Sequence, residues 1–175
     1  MKRIIAMLTV AFVLAGCTAQ YQVRSLSGTH NSVNLSKQEG VYIDLPPDGE
    51  YGATKYTGSG QTVAQVLAVA FSRYATSVHT AEATAPQKLA IAAAAKSGDR
   101  YVVMPLITHW EPRNTAWSGK RSRVALQITV FDVTSGQALS SVSIEGKSAQ
   151  QTLSSTSPED LLQVPVSEYV GTLYH

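Results

Sequence analysis

Cysteine is almost absent from this chain of 175 residues, with one at position 17. No disulfide can close within the chain, and no cysteine-ligated metal cluster or redox pair can be assembled. The fold must stand on packing alone. Histidine is scarce too: His30, His79, His109 and His175 fall in a polar stretch, a weak strand pattern, a strand end and the terminus. A zinc site needs three or four ligands, and nothing supplies a third at motif spacing. Neither a metal nor another cofactor is therefore expected. Charged residues make up 15% of the sequence, with 14 basic against 12 acidic. That thin, even balance gives no electrostatic case for nucleic acid. There is no G-x-S-x-G turn, and the many serines have no base beside them. The "TGSG" of Thr57 to Gly60 lacks the rest of a phosphate loop, and helix capping explains it more simply.

What is present begins at the N-terminus. "MKR" is a short basic head, and Ile4 to Gly16 is an uncharged apolar run too short to span a bilayer as a mature helix. This pattern is an export signal. Leu14-Ala15-Gly16-Cys17 resembles the lipobox of bacterial lipoproteins, in which the cysteine becomes the lipidated first residue. Burial of acyl chain contributes about 0.8 kcal/mol per CH2, so two or more chains anchor stably where one does not. Residues 1–16 are accordingly read as a lipoprotein signal peptide, with the membrane as a partner through Cys17. Its removal takes Lys2 and Arg3 and leaves equal numbers of basic and acidic residues. Thr18, where an Asp would retain the protein at the inner membrane, favours the outer membrane by resemblance to enterobacterial sorting rules. The expected location is the outer membrane, facing the periplasm.

Residues 17–39 read as the lipidated cysteine and a polar, flexible tether, although Tyr21, Val23 and Leu26 can also lie along the domain as an extra strand. Residues 40–175 are the size of one domain. Val41, Tyr42, Ile43 and Leu45 form a short buried strand stopped by Pro46-Pro47, followed by a turn-rich loop. Val63, Val66, Leu67, Ala70, Phe71 and Tyr74 make one helical stripe, capped by Ser59 or Gly60. "SVHTAEA" is a weak strand. Thr84 with Gln87 is a capping-box pattern, Pro86 lies in the first turn, and Gly98 closes the alanine-rich helix. "RYVVMPLITHW" is an apolar strand, with a bulge or an unpaired side expected at Met104-Pro105. "RVALQITVFDV" alternates cleanly, "TSGQ" turns the chain, and "ALSSVSIEGKS" returns as the hairpin partner. Ser157 to Asp160 caps a last helical segment, expected to break at Pro165.

The order β-α-β-α-β-β-β-α requires parallel neighbours where helices cross over and an antiparallel pair at the hairpin. An α/β domain with a mixed sheet and helices packed on it follows. That order is similar to envelope domains such as the N-terminal domain of TolB, the curli secretion lipoprotein and the lipoprotein activators of penicillin-binding proteins. A likeness of pattern does not carry function.

The chemistry concentrates in "HWEPRNTAWSGK", His109 to Lys120, which holds both tryptophans. His109 and Glu111 stand two apart on a strand, so they project to one face as an acid–base pair. Trp110, Glu111, Arg113, Trp117 and Lys120, with Arg121 and Arg123 beyond, form a candidate binding edge, because tryptophan and arginine dominate binding hot spots. The plainer alternative is a connection between two strands that the tryptophans brace, with Glu111 in a surface ion pair. Both readings stand at this point.

"VYIDLPPDGEYG", "YTGSGQTVAQVLAVAFSRY", "ITHWEPRNTAWSGKRSRV", "FDVTSGQALSSVSIEGKS" and "SPEDLLQVPVSEYV" together resemble a family of proteobacterial lipoproteins with a domain of unknown function. The likeness covers nearly the whole mature domain and implies a lipoprotein without an activity, ligand or catalytic residue. The expected function is that of a lipid-anchored cell-envelope accessory or scaffold lipoprotein, not an enzyme, that binds an envelope protein or peptidoglycan. The alternative is a small envelope enzyme using His109 and Glu111 as acid and base.

Overall fold

The computed structural model describes residues 19–26, 33–112, 120–149 and 156–175. Cys17, His30, Arg113 and Trp117 lie outside the described residues. Strands β1 (Gln20–Ser25), β2 (Val41–Ile43), β5 (Val78–Thr80), β6 (Tyr101–Glu111), β7 (Arg123–Asp132) and β8 (Ala138–Lys147) form one sheet in the order β1-β8-β7-β6-β2-β5. β2 runs parallel to both β5 and β6, while β6, β7, β8 and β1 are successively antiparallel. This is the mixed α/β sheet that the element order requires. Helices α1 (Ser59–Phe71) and α3 (Asp160–Thr172) cover one face; α2 (Gln87–Ser97) packs on the other at β2 and β6. Among the described residues no helix is long and apolar enough to cross a membrane.

The main core lies under α1 and α3. Val124, Leu126, Ile128 and Val130 of β7 are buried there, as strict alternation demands, with Val63, Leu67, Phe71, Leu162 and Val166 from the helices. A smaller core joins Ala90 and Ala94 of α2 to Val102. Its alanines let the helix approach the sheet closely.

Several local expectations change. The loop after β2 contains a small antiparallel hairpin, β3 (Glu50–Tyr51) and β4 (Thr54–Lys55), turned by Gly52 at φ 61°. Neither Ser59 nor Gly60 caps α1; both lie inside it, and Gly58 at φ 90° is the N-cap. Asp48 substitutes from a distance, its Oδ1 accepting the N–H groups of Gly58 and Gly60 at 3.0 Å each. At α2, Pro86 is itself the N-cap and no capping box forms. Gly98 does end α2, at φ 77°. Pro165 leaves α3 unbroken. It is the sixth of thirteen residues, where it removes one backbone hydrogen bond, and it is buried with Leu162 and Val166.

The stretch 20–25 is β1, so Tyr21 and Val23 do lie along the domain, paired to β8. The Tyr21 hydroxyl donates to Glu168 of α3 at 2.7 Å. Further on, Leu35 is buried and its N–H bonds to the Leu173 carbonyl at 2.7 Å. Part of the polar N-terminal stretch is thus tied to the sheet and to the end of α3.

Candidate functional site

β2 ends at Ile43, whereas β6 continues to Glu111, so the far half of β6 has only β7 beside it in the ladder. Here is the unpaired side expected near Pro105. The Val103 carbonyl accepts from the Asp44 N–H at 2.9 Å, and Pro105, two residues on, turns its nitrogen to the same side. The bulge sits elsewhere: Ile107 pairs with Leu126 but His109 with Ala125, leaving Thr108 extra.

That one residue decides where the chemistry points. Counting alternately from Val103 and Ile107, which face the main core, would put His109 and Glu111 inside and Trp110 outside. The bulge reverses this. Trp110 pairs with Val124 and is 5% exposed in the core, while His109 and Glu111 project to the opposite, open face of the sheet. Trp110 therefore braces the strand end and does not stand free as a hot spot. The candidate edge is divided between two faces.

On the open face, His109 Nε2 and Glu111 Oε2 are 3.2 Å apart, so the two do meet. The Tyr51 ring meets His109 edge to face, with centroids 5.3 Å apart. Beside them a cavity of about 410 Å³ is lined by Tyr51, Glu111, Lys120, Arg121 and Arg123. Three cations against one carboxylate make it suited to an anion. On the helix-covered side, a shallow cleft of about 640 Å³ opens between the hairpin and the starts of α1 and α3. Trp110, Tyr56, Thr57, Thr62 and Ser157 are among the residues that line it. A groove of about 360 Å³ between α1 and α3 holds none of the candidate residues.

Other polar residues come together that no local pattern announced. His79 Nδ1 lies 2.8 Å from Asp99 Oδ2, and the Ser77 hydroxyl donates to the other oxygen at 3.4 Å. The Asp99 side chain is fully buried, and the cluster ties β5 to the start of β6. Asp44 is buried at the end of β2 with Oδ1 unpartnered. Burial pushes its carboxyl above the usual range, and the N–H groups of Ala85 and Leu45 pull it part of the way back. Asp44, the Ser77–His79 stretch and Asp99 lie far apart in the chain, so only the sheet order could have revealed these groupings. Among the described residues, no group of three His, Cys, Asp or Glu is placed to hold a metal ion.

Comparison with known proteins agrees with this architecture. The PelC dodecamer from Paraburkholderia phytofirmans superimposes with a TM-score of 0.64 at 15% identity, over 88% of this chain and 98% of that one. Lipoprotein GNA1162 from Neisseria meningitidis does so with a TM-score of 0.51 at 14% identity, over 77% and 97%. At such identities the likeness shows the fold. No curated protein matches the chain. The family model "Domain of unknown function (DUF4823)" matches residues 33–173, and the chain belongs to that family.

Proposed function

We propose that this chain is a lipid-anchored accessory or scaffold protein of the cell envelope. It is held in the outer membrane through Cys17 and acts in the periplasm by binding a protein partner or a peptidoglycan-type glycan. The observation that carries the binding role is the cleft beside Trp110, lined also by Tyr56, Thr57, Thr62 and Ser157 at one end of the sheet. Arg113 and Trp117 flank it in sequence and complete the proposed edge. The name of the GNA1162 neighbour, a lipoprotein, supports the anchor.

Photocrosslinking in living cells from Thr57, on the cleft wall, tests this, with Lys88 of α2 as the control position. A discrete adduct from Thr57 alone is expected; equal yields from the two positions would reject the cleft. Cys17→Ser should abolish acylation and membrane fractionation, and an unchanged mass and distribution would remove the lipoprotein assignment.

One observation favours a second reading, the 3.2 Å contact of His109 with Glu111 beside a cationic cavity. A catalytic pair should lose its cellular phenotype in His109→Ala while the Thr57 adduct persists; Trp117→Ala should do the reverse in a binding module.

A further inference from the structure

The strand register places one row of residues across the end of the sheet. Gln20 of β1 pairs with Lys147 of β8, Lys147 with Arg123 of β7, and Arg123 with Glu111 of β6. At about 4.8 Å per strand the row is roughly 14 Å wide. Gln20 follows Cys17 by three residues, a reach of at most about 11 Å. The acylated cysteine is thus confined to the neighbourhood of this row, while the opposite end of β6, ten residues away at Tyr101, lies about 33 Å off.

Lys120 and Arg121 adjoin the row through the cavity they share with Arg123. Four cations, Lys120, Arg121, Arg123 and Lys147, stand against Glu111 and Glu145 on this open face. Glu111 is turned to His109. Glu50 and Lys55 offset each other on the hairpin, where they are paired in register. Acidic residues gather instead on the helix-covered side, as Glu159 and Asp160 at the start of α3. α2 covers the open face at β2 and the start of β6, away from the cationic end; Tyr51 of the hairpin borders the cavity there, and Lys120, Arg123 and Lys147 are exposed.

We propose that this cationic end of the open face lies on the anionic phospholipid headgroups of the leaflet that holds Cys17. The membrane is then a second contact of the domain and not only its point of attachment. Attraction acts over a Debye length of about 8 Å, within which the short link holds the row. The acidic start of α3 turns the helix side away from the lipid, so the Trp110 cleft opens outward. The proposal rests on the lipidation of Cys17 proposed above.

The test uses the mature, acylated protein in phosphatidylethanolamine vesicles with and without phosphatidylglycerol. Acylation blocks Cys17, so a nitroxide reports only from an introduced cysteine, at exposed Thr108 near the row or exposed Thr134 at the far turn. Nickel chelated to lipid headgroups should relax the Thr108→Cys label strongly and the Thr134→Cys label little, in phosphatidylglycerol vesicles. That difference should be lost on Arg123→Glu with Lys147→Glu, and, without any such change, at about 1 M salt, where the Debye length is about 3 Å. Equal relaxation at the two sites, or a difference that survives both charge reversal and salt, would overturn the proposal. Intact mass and vesicle flotation read acylation separately. An unacylated chain defeats the lipidation reading and this one with it; an acylated chain with equal labels defeats this one alone.

Discussion

Asp132 gathers donors from two directions. Its Oδ2 accepts from Arg100 Nη2 at 2.6 Å and Nε at 3.0 Å, and its Oδ1 from the Ser135 N–H at 2.8 Å. Burial works against the charged form, but the Ser135 and Arg100 bonds prevail and hold the carboxyl below its ordinary 3.8. A group depressed in this way contributes stability that is present above the unfolded value and lost as pH falls through the folded one. Asp132→Asn should therefore flatten the decline of stability below about pH 4, measured as urea midpoints across pH. Tyr169 works in the opposite sense. Burial pushes its phenol up to about 12, only partly opposed by the Ser140 hydroxyl, to which it donates at 3.0 Å. Stability it contributes is complete below the ordinary 10.0 and falls as pH rises toward the folded value. Tyr169→Phe should reduce alkaline unfolding between about pH 10 and 12, monitored by circular dichroism. Neither role was legible in the sequence, because strand pairing brings Arg100 to Asp132 and the packing of α3 on β8 brings Tyr169 to Ser140. The His109–Glu111 contact was legible, since residues two apart on a strand share a face whatever the register.

Helix α1 shows what element-level reasoning reaches. Its apolar stripe is readable from spacing, and Val63, Leu67, Ala70 and Phe71 are indeed buried. Its start is not, because the cap arrives from Asp48, outside the three or four residues that a capping motif spans. Gly60 is required there for space: a Cβ would strike the Pro46 carbonyl oxygen, which is backbone and cannot swing aside. Gly60→Ala should cost about 1–3 kcal/mol in urea unfolding, against the usual gain for alanine in a helix. The hairpin β3–β4 was hidden for a different reason. Two-residue strands carry no period to detect. Strand β7, ten residues long, carries five full alternations and was plain.

At the scale of the molecule, the sheet was largely deducible. Crossover helices force β2 to run parallel to β5 and β6, and the short turn after Asp132 forces β7 and β8 to run antiparallel. What sequence could not supply was the division of the His109–Lys120 end into a cleft behind Trp110 and a cationic rim in front of it. That division comes from the added residue at Thr108, and alternation counted along the chain assigns every side chain after it to the wrong face.

Thr108 also makes the strand end tolerant of a change in length. Removing it would join Ile107 directly to His109, and a regular ladder would still pair His109 with Ala125 and Trp110 with Val124. In a Trp117→Phe background, deletion of Thr108 should leave the Trp110 emission maximum blue-shifted; a shift to the red would mean that the indole had been expelled. A second residue inserted beside Thr108 and drawn into the ladder would change the parity. It would present the tryptophan to the open face of the sheet and press the glutamate into the core. The end of β6 can therefore lose a residue without turning inside out, but it cannot gain one there unless the bulge widens to absorb it.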